Sequence, residues 1–190
     1  MSLRVVVVGV PGVGKTTVVD KIVAALPKAK LVTFGTVMFE EAQARRWAKD
    51  RDQMRKMPVE KQKRLQKLAA SKIARMKDPV VLVDTHLFIR TSEGLWPGLP
   101  FEVVRAMKPT HLVLVEALPE EILKRRAADS TRSRDSLTTD GMVAELELGR
   151  SFLSVSATLT GAPMLIVTNR EGRAEEVAES IASMLRSVAR

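Results

Sequence analysis

Residues 9–16 read Gly-Val-Pro-Gly-Val-Gly-Lys-Thr and follow directly on the apolar run Leu3–Val8. The spacing G-x-x-x-x-G-K-[ST] after a strand is that of a phosphate-cradling P-loop. Gly9, Gly12 and Gly14 lack a Cβ, so the backbone can turn tightly and bring N–H groups onto phosphate oxygens. Val10, Pro11 and Val13 complete the loop. Lys15 supplies a mobile charge for β- and γ-phosphates, and Thr16 offers a hydroxyl to Mg²⁺. Residues Thr17–Leu26 predict a helix whose N-terminus adds partial positive charge under the phosphates. A plain Gly-rich turn is the alternative, and the strand before and helix after weigh against it.

Other residues could join this chemistry. The apolar run Val80–Val83 ends in Asp84. A carboxylate at the end of a buried strand, downstream of a P-loop, holds Mg²⁺ directly or through water; otherwise it starts a turn. Arg90 is expected just beyond the carboxyl edge of the sheet, where a guanidinium can grip a phosphate in a bidentate contact; the alternative is a solvated surface arginine. His86 reads as a substrate contact or as a hydrogen-bonded structural histidine.

Arg125, Arg126, Arg132 and Arg134 gather in or beside residues 126–139, a polar stretch expected to be a mobile cover over the phosphate site. Clustered guanidiniums repel one another, and bound phosphates would supply a reason to collect them. Phosphoryl transfer rests on positioning and cationic stabilisation, without need of a protein base. A solvated charge run remains the other reading. Arg51 and Arg55 lie one turn apart if helical and could share a face; a salt-bridged surface helix is equally compatible.

The elements that must position these groups alternate. Apolar runs at Leu3–Val8, Lys30–Phe34, Val80–Val83, His111–Val115 and Met164–Val167 are rich in Val, Ile and Leu without strict alternation, as in parallel strands covered on both faces. Helical patterns lie between and after them at Val59–Met76, Glu120–Ala128, Met142–Leu159 and Glu175–Val188, with Asp140 the expected cap of the third. The expected fold is α/β, with a central parallel sheet and helices on both faces. Residues 36–78 exceed a simple crossover and predict a basic helical insert able to hold a second substrate.

Composition bounds the answer. A 190-residue chain that is 45% apolar predicts a single domain, 1–190, with a real core. No Cys is present, so disulfides and thiolate chemistry are excluded. No apolar run reaches bilayer length and no signal peptide is recognisable, so a cytoplasmic protein is expected. The formal net charge of +9 suits either nucleic acid or substrates rich in phosphate. Tyr is absent and aromatics are few, which argues against a base-stacking nucleic-acid platform. The single Asn, Asn169, beside many ion-pairing side chains fits a thermophile.

Taken together, the motifs resemble the archaeal-type adenylate kinases over essentially the whole chain. The matching blocks are Gly9–Thr17, Phe34-Gly35-Thr36-Val37-Met38-Phe39-Glu40, Asp50-Arg51-Asp52-Gln53-Met54-Arg55-Lys56, Asp84-Thr85-His86, Pro97-Gly98-Leu99-Pro100 and Thr131-Arg132-Ser133-Arg134-Asp135. The P-loop is common to many families; its combination with the other blocks is specific. The resemblance implies a P-loop NTPase fold and the reversible reaction ATP + AMP = 2 ADP with Mg²⁺. It implies a core, an AMP-binding insert at 36–78 and a lid at 126–139. Carried over by position, Gly9 to Thr17 bind ATP phosphates, Thr36 and Arg55 serve AMP, and Arg90 grips the AMP phosphate. Lys15 acts at the transferring phosphoryl, Thr16 and Asp84 serve the metal, and Arg126, Arg132 and Arg134 act from the lid side. It also implies a homotrimer. The rival readings are a kinase for another nucleoside monophosphate or a small alcohol, and a nucleic-acid-associated ATPase on the same core.

Overall fold

The computed structural model describes residues 2–91, 94–128 and 138–188, with the side chains of Arg90 and Thr91 excepted. Five parallel strands form the central sheet: β1 (Leu3–Val8), β2 (Ala29–Thr33), β3 (Val80–Asp84), β6 (His111–Glu116) and β7 (Met164–Thr168). Their spatial order is β2-β3-β1-β6-β7. The chain leaves β1 toward β3 and β2 and later returns to its other side, so the crevice at the carboxyl end of β1 is a topological switch point.

Strand alternation divides the core. Val5 and Val7 of β1, with Val113 and Val115 of β6, face α1 (Lys15–Ala25) and α8 (Ala174–Val188) through Ile22, Ile181 and Leu185. Val6 and Val8, with Leu112 and Leu114, face α2 (Phe34–Ala44), α4 (Val59–Ala74), α5 (Phe101–Met107) and α7 (Thr139–Thr160) through Val37, Ile73, Met107 and Leu153. Both faces of the inner strands are therefore covered, which explains their unbroken apolar runs. The edge strand β7 departs from that expectation. Leu165 and Val167 pack inward, whereas Met164 and Ile166, on the face that carries α7, stay exposed at the sheet edge.

The insert carries its own small core. Between α2 and α4 runs the short α3 (Arg51–Arg55), and Ala42, Ala48, Met54, Met57 and Leu65 pack together. The strand before the insert ends at Thr33; Phe34 already belongs to α2, so the helical segment starts before residue 36. A two-stranded hairpin, β4 (Phe88–Thr91) and β5 (Gly94–Pro97), leaves the end of β3 and was not anticipated by the strand–helix alternation. Gly98 closes this excursion. Its N–H donates to Leu87 O at 2.7 Å, and a Cβ there would collide with the His86 carbonyl.

Two local expectations are corrected. The cap of α7 is Thr138, whose hydroxyl accepts from Gly141 N at 3.1 Å; Asp140 sits in the first turn, where its charge complements the helix dipole. Arg126 to Ala128 lie within α6 (Pro119–Ala128), and Thr139 starts α7, so the stretch between helices is shorter than 126–139. Residues 129–137, which include Arg132 and Arg134, lie outside the described residues.

Candidate active site

The crevice at the carboxyl ends of β1, β3, β6 and β7 collects the predicted phosphate chemistry. Val10 and Val13 bury their side chains in the core, which fixes the loop while its backbone stays at the surface. Gly14 precedes α1 in a left-handed conformation with no side-chain cap, and the first turn of α1 holds no acidic residue. Its leading N–H groups are thus available to an anion. Lys15 and Thr16 open the helix, and Thr16 and Thr17 are exposed.

β1 and β3 pair in register with Val7 opposite Asp84, which sets Asp84 beside the P-loop. Its carboxylate accepts from Lys15 Nζ, and their side chains are only 21% and 10% exposed. Thr16 and Asp84 offer hard oxygens suited to Mg²⁺. Among the described residues no three His, Cys, Asp or Glu side chains cluster, so a divalent ion here would complete its shell with phosphate oxygens and water.

Arg125 and Arg126 of α6 are held by P-loop carbonyls and by carboxylates. The Arg126 side chain is 10% exposed, its Nε donates to Pro11 O at 2.7 Å, and it pairs with Glu145 at 3.4 Å. Arg125 donates to Val13 O at 3.3 Å and pairs with Glu121 at the same distance. Carboxylates on α6 and α7 thus offset the repulsion of these two neighbours. Arg90 occupies the third position of β4, opposite Leu95, in the hairpin.

Residues given no site role by the sequence reading gather at the same end of the sheet. Glu116, the buried last residue of β6, takes a bidentate pair from Arg150 of α7, at 2.8 and 2.7 Å. That hydrogen-bonded contact raises the Arg150 pKa further above the normal guanidinium value. Asn169, just after β7, donates from Nδ2 to Val13 O at 2.8 Å. The acidic end of the otherwise apolar run His111–Glu116 was the available signal for Glu116. Its partner, 34 residues away, had none.

On the insert, Thr36 meets Arg51 rather than Arg55. Arg51 Nη2 donates to Thr36 Oγ1 at 3.0 Å, and its guanidinium lies 5.4 Å from the Phe39 ring centre. Arg55 turns to Asp52 at 3.0 Å, both well exposed. A separate groove of about 820 Å³ opens between α4, β5 and α5, lined by Lys67, Trp96 and Phe101 among others; neither Thr36 nor any P-loop residue borders it.

Comparison with known proteins decides the family. The adenylate kinase of Methanocaldococcus jannaschii is 44% identical over 187 residues, covering 96% of this chain and 97% of its own length. The chain belongs to the adenylate kinase family. The adenylate kinase of Thermoplasma acidophilum is 42% identical over 96% of this chain and 98% of its own. A family model described as AAA domain matches residues 8–142 of this chain. Its fold is also that of shikimate kinase from Bacteroides thetaiotaomicron, with a TM-score of 0.59, 12% identity and coverage of 97% and 98% of the two chains. Shikimate kinase from Acinetobacter baumannii in complex with shikimate gives 0.61 at 14% identity, over 98% and 94%. At such identities these two likenesses speak for the P-loop kinase fold alone.

Proposed function

We propose that this chain is an adenylate kinase that moves the γ-phosphoryl of ATP to AMP, giving two ADP, reversibly and with Mg²⁺. The observation that carries the reading is Lys15 at the start of α1, paired with Asp84 across the switch-point crevice. Lys15 leaves Asp84 for the β- and γ-phosphates when ATP enters. Thr16 and Asp84 would hold Mg²⁺, in part through water, and the ion would supply neutralisation of charge on those phosphates. Arg90 serves the AMP phosphate, and Arg132 and Arg134 close from the lid over the transferring group. Closure keeps water from competing with AMP as acceptor.

AMP is assigned to the insert, on the side of Thr36, Arg51 and Arg55. Arg55→Ala is expected to raise KM for AMP well above any change for ATP, and Arg51→Ala to do so by the larger factor, because Arg51 already touches Thr36. Steady-state kinetics varying each nucleotide separately checks this. A selective loss on the ATP side would mean the two sites are exchanged.

The protein is further assigned to the cytoplasm of a thermophile and to a homotrimer. The exposed apolar residues Val155, Leu159, Met164 and Ile166 on α7 and β7 favour self-association. Sedimentation at micromolar concentration should give the mass of three chains; a concentration-independent mass of one chain would reject the trimer.

A further inference from the structure

We propose that Asn169 is a positioning residue that clamps the Val13 carbonyl and thereby holds the Val13–Gly14 peptide with its N–H toward the ATP phosphates. The proposal rests on the reading of Gly9–Thr17 as the ATP phosphate site.

Asn169 is only 4% exposed and is tied from three directions. Its backbone N–H donates to Glu116 O at 2.7 Å, its carbonyl accepts from Arg125 Nη2 at 3.4 Å, and its Nδ2 donates to Val13 O at 2.8 Å. A carbonyl can only accept, so the amide must present its nitrogen to Val13. In a trans peptide the C=O and N–H of one unit point in opposite directions. Drawing Val13 O toward Asn169 and Arg125 therefore turns the Gly14 N–H the other way, out of the protein body.

Gly14 makes such a clamp necessary. Its φ is +80°, and without a Cβ the peptide before it can flip at low cost. A flip would aim a carbonyl dipole at the phosphates in place of an N–H. A Cβ at position 14 would lie 2.5 Å from Asn169 Nδ2, so glycine and asparagine fit this corner as a pair. The two preceding loop carbonyls are held in the same manner, Pro11 O by Arg126 and Gly12 O by Arg125 at 3.5 Å. Those holders are charged side chains of α6. Asn169 is uncharged and is fixed by its backbone to β6.

Stability alone does not account for an amide here. The buried Oδ1 of Asn169 finds no partner among the described residues. An unpaired buried acceptor is costly, and an apolar side chain of similar size would avoid that cost.

The test compares Asn169→Leu, which keeps the γ-branched shape but removes the N–H, with Asn169→Ala. Leu185→Ala serves as a packing control in the buried face of α8, and Lys15→Ala as a control on the P-loop itself. Calorimetric titration with a non-hydrolysable ATP analogue and, separately, with AMP gives both affinities; thermal melting gives Tm. Both Asn169 variants should bind the ATP analogue about tenfold more weakly, the order of one well-made hydrogen bond to a buried group. AMP affinity should stay within about twofold. Asn169→Leu should hold its Tm, whereas Leu185→Ala should lose Tm without this selectivity. Unchanged analogue affinity in Asn169→Leu, or equal losses for both nucleotides, would overturn the clamp. If Lys15→Ala also turned over and bound normally, the phosphate-site reading itself would have failed, a separate outcome.

Discussion

Lys15→Ala is expected to lower kcat by about two to three orders of magnitude while the protein stays folded. The magnitude is that of removing one preorganised charge-stabilising donor from a transferring group. Lys15 stands at the N-terminal end of α1, within reach of Asp84 and beside Gly14. As negative charge redistributes during transfer, an ammonium there interacts more strongly with the transition state than with bound ATP. The loss should therefore fall on kcat more than on ATP affinity. Removing the ammonium also leaves Asp84, a mostly shielded carboxylate, without its partner. A drop of a few degrees in Tm is the expected side effect, and the rate is to be read on the folded fraction. An unchanged kcat in folded protein would sink the phosphate-site assignment.

The double change Arg132→Ala with Arg134→Ala should slow phosphoryl transfer by roughly 2–4 kcal/mol of transition-state stabilisation. Both residues lie in a polar run with no apolar anchor before Leu137, so packing gives no reason for two guanidiniums there. α6, which ends at Ala128, lies against the P-loop. Arg126 of α6 touches Pro11 O, and Glu145 of α7 touches Arg126. Charges in a polar run of this kind contribute little to folding, so Tm should barely move. The comparison is single-turnover rate against Tm in the same preparation. A collapsed Tm with a normal rate in the folded fraction would make these arginines structural.

What was legible in the sequence was local. Leu3–Val8 leading into Gly9–Thr16 specifies strand, turn and helix within a few residues, because glycine spacing and unbroken Val runs each reflect one physical constraint. Asp84 was legible because a carboxylate ending Val80–Val83 has few reasons to be there. The insert was legible from its length and helical period, and its small core around Met54 and Leu65 agrees. Partners far apart along the chain were not legible. Nothing near Arg126 predicts Pro11, 115 residues away, and nothing near Asn169 predicts Val13, 156 residues away. The pairing of Thr36 with Arg51 in place of Arg55 depends on how α3 docks on α2. The β4–β5 hairpin was hidden because Phe88–Thr91 and Gly94–Pro97 are too short to show a period.

The central claim, phosphoryl transfer from ATP to AMP, is tested most directly by one assay. Purified protein is supplied with Mg²⁺, ATP and, in parallel, each of the common nucleoside monophosphates, and diphosphate formation is followed. The expected result is rapid turnover with AMP, two ADP formed for each AMP consumed, and little turnover with ATP alone. Preference for a different monophosphate, or ATP hydrolysis indifferent to AMP and stimulated by RNA, would contradict it.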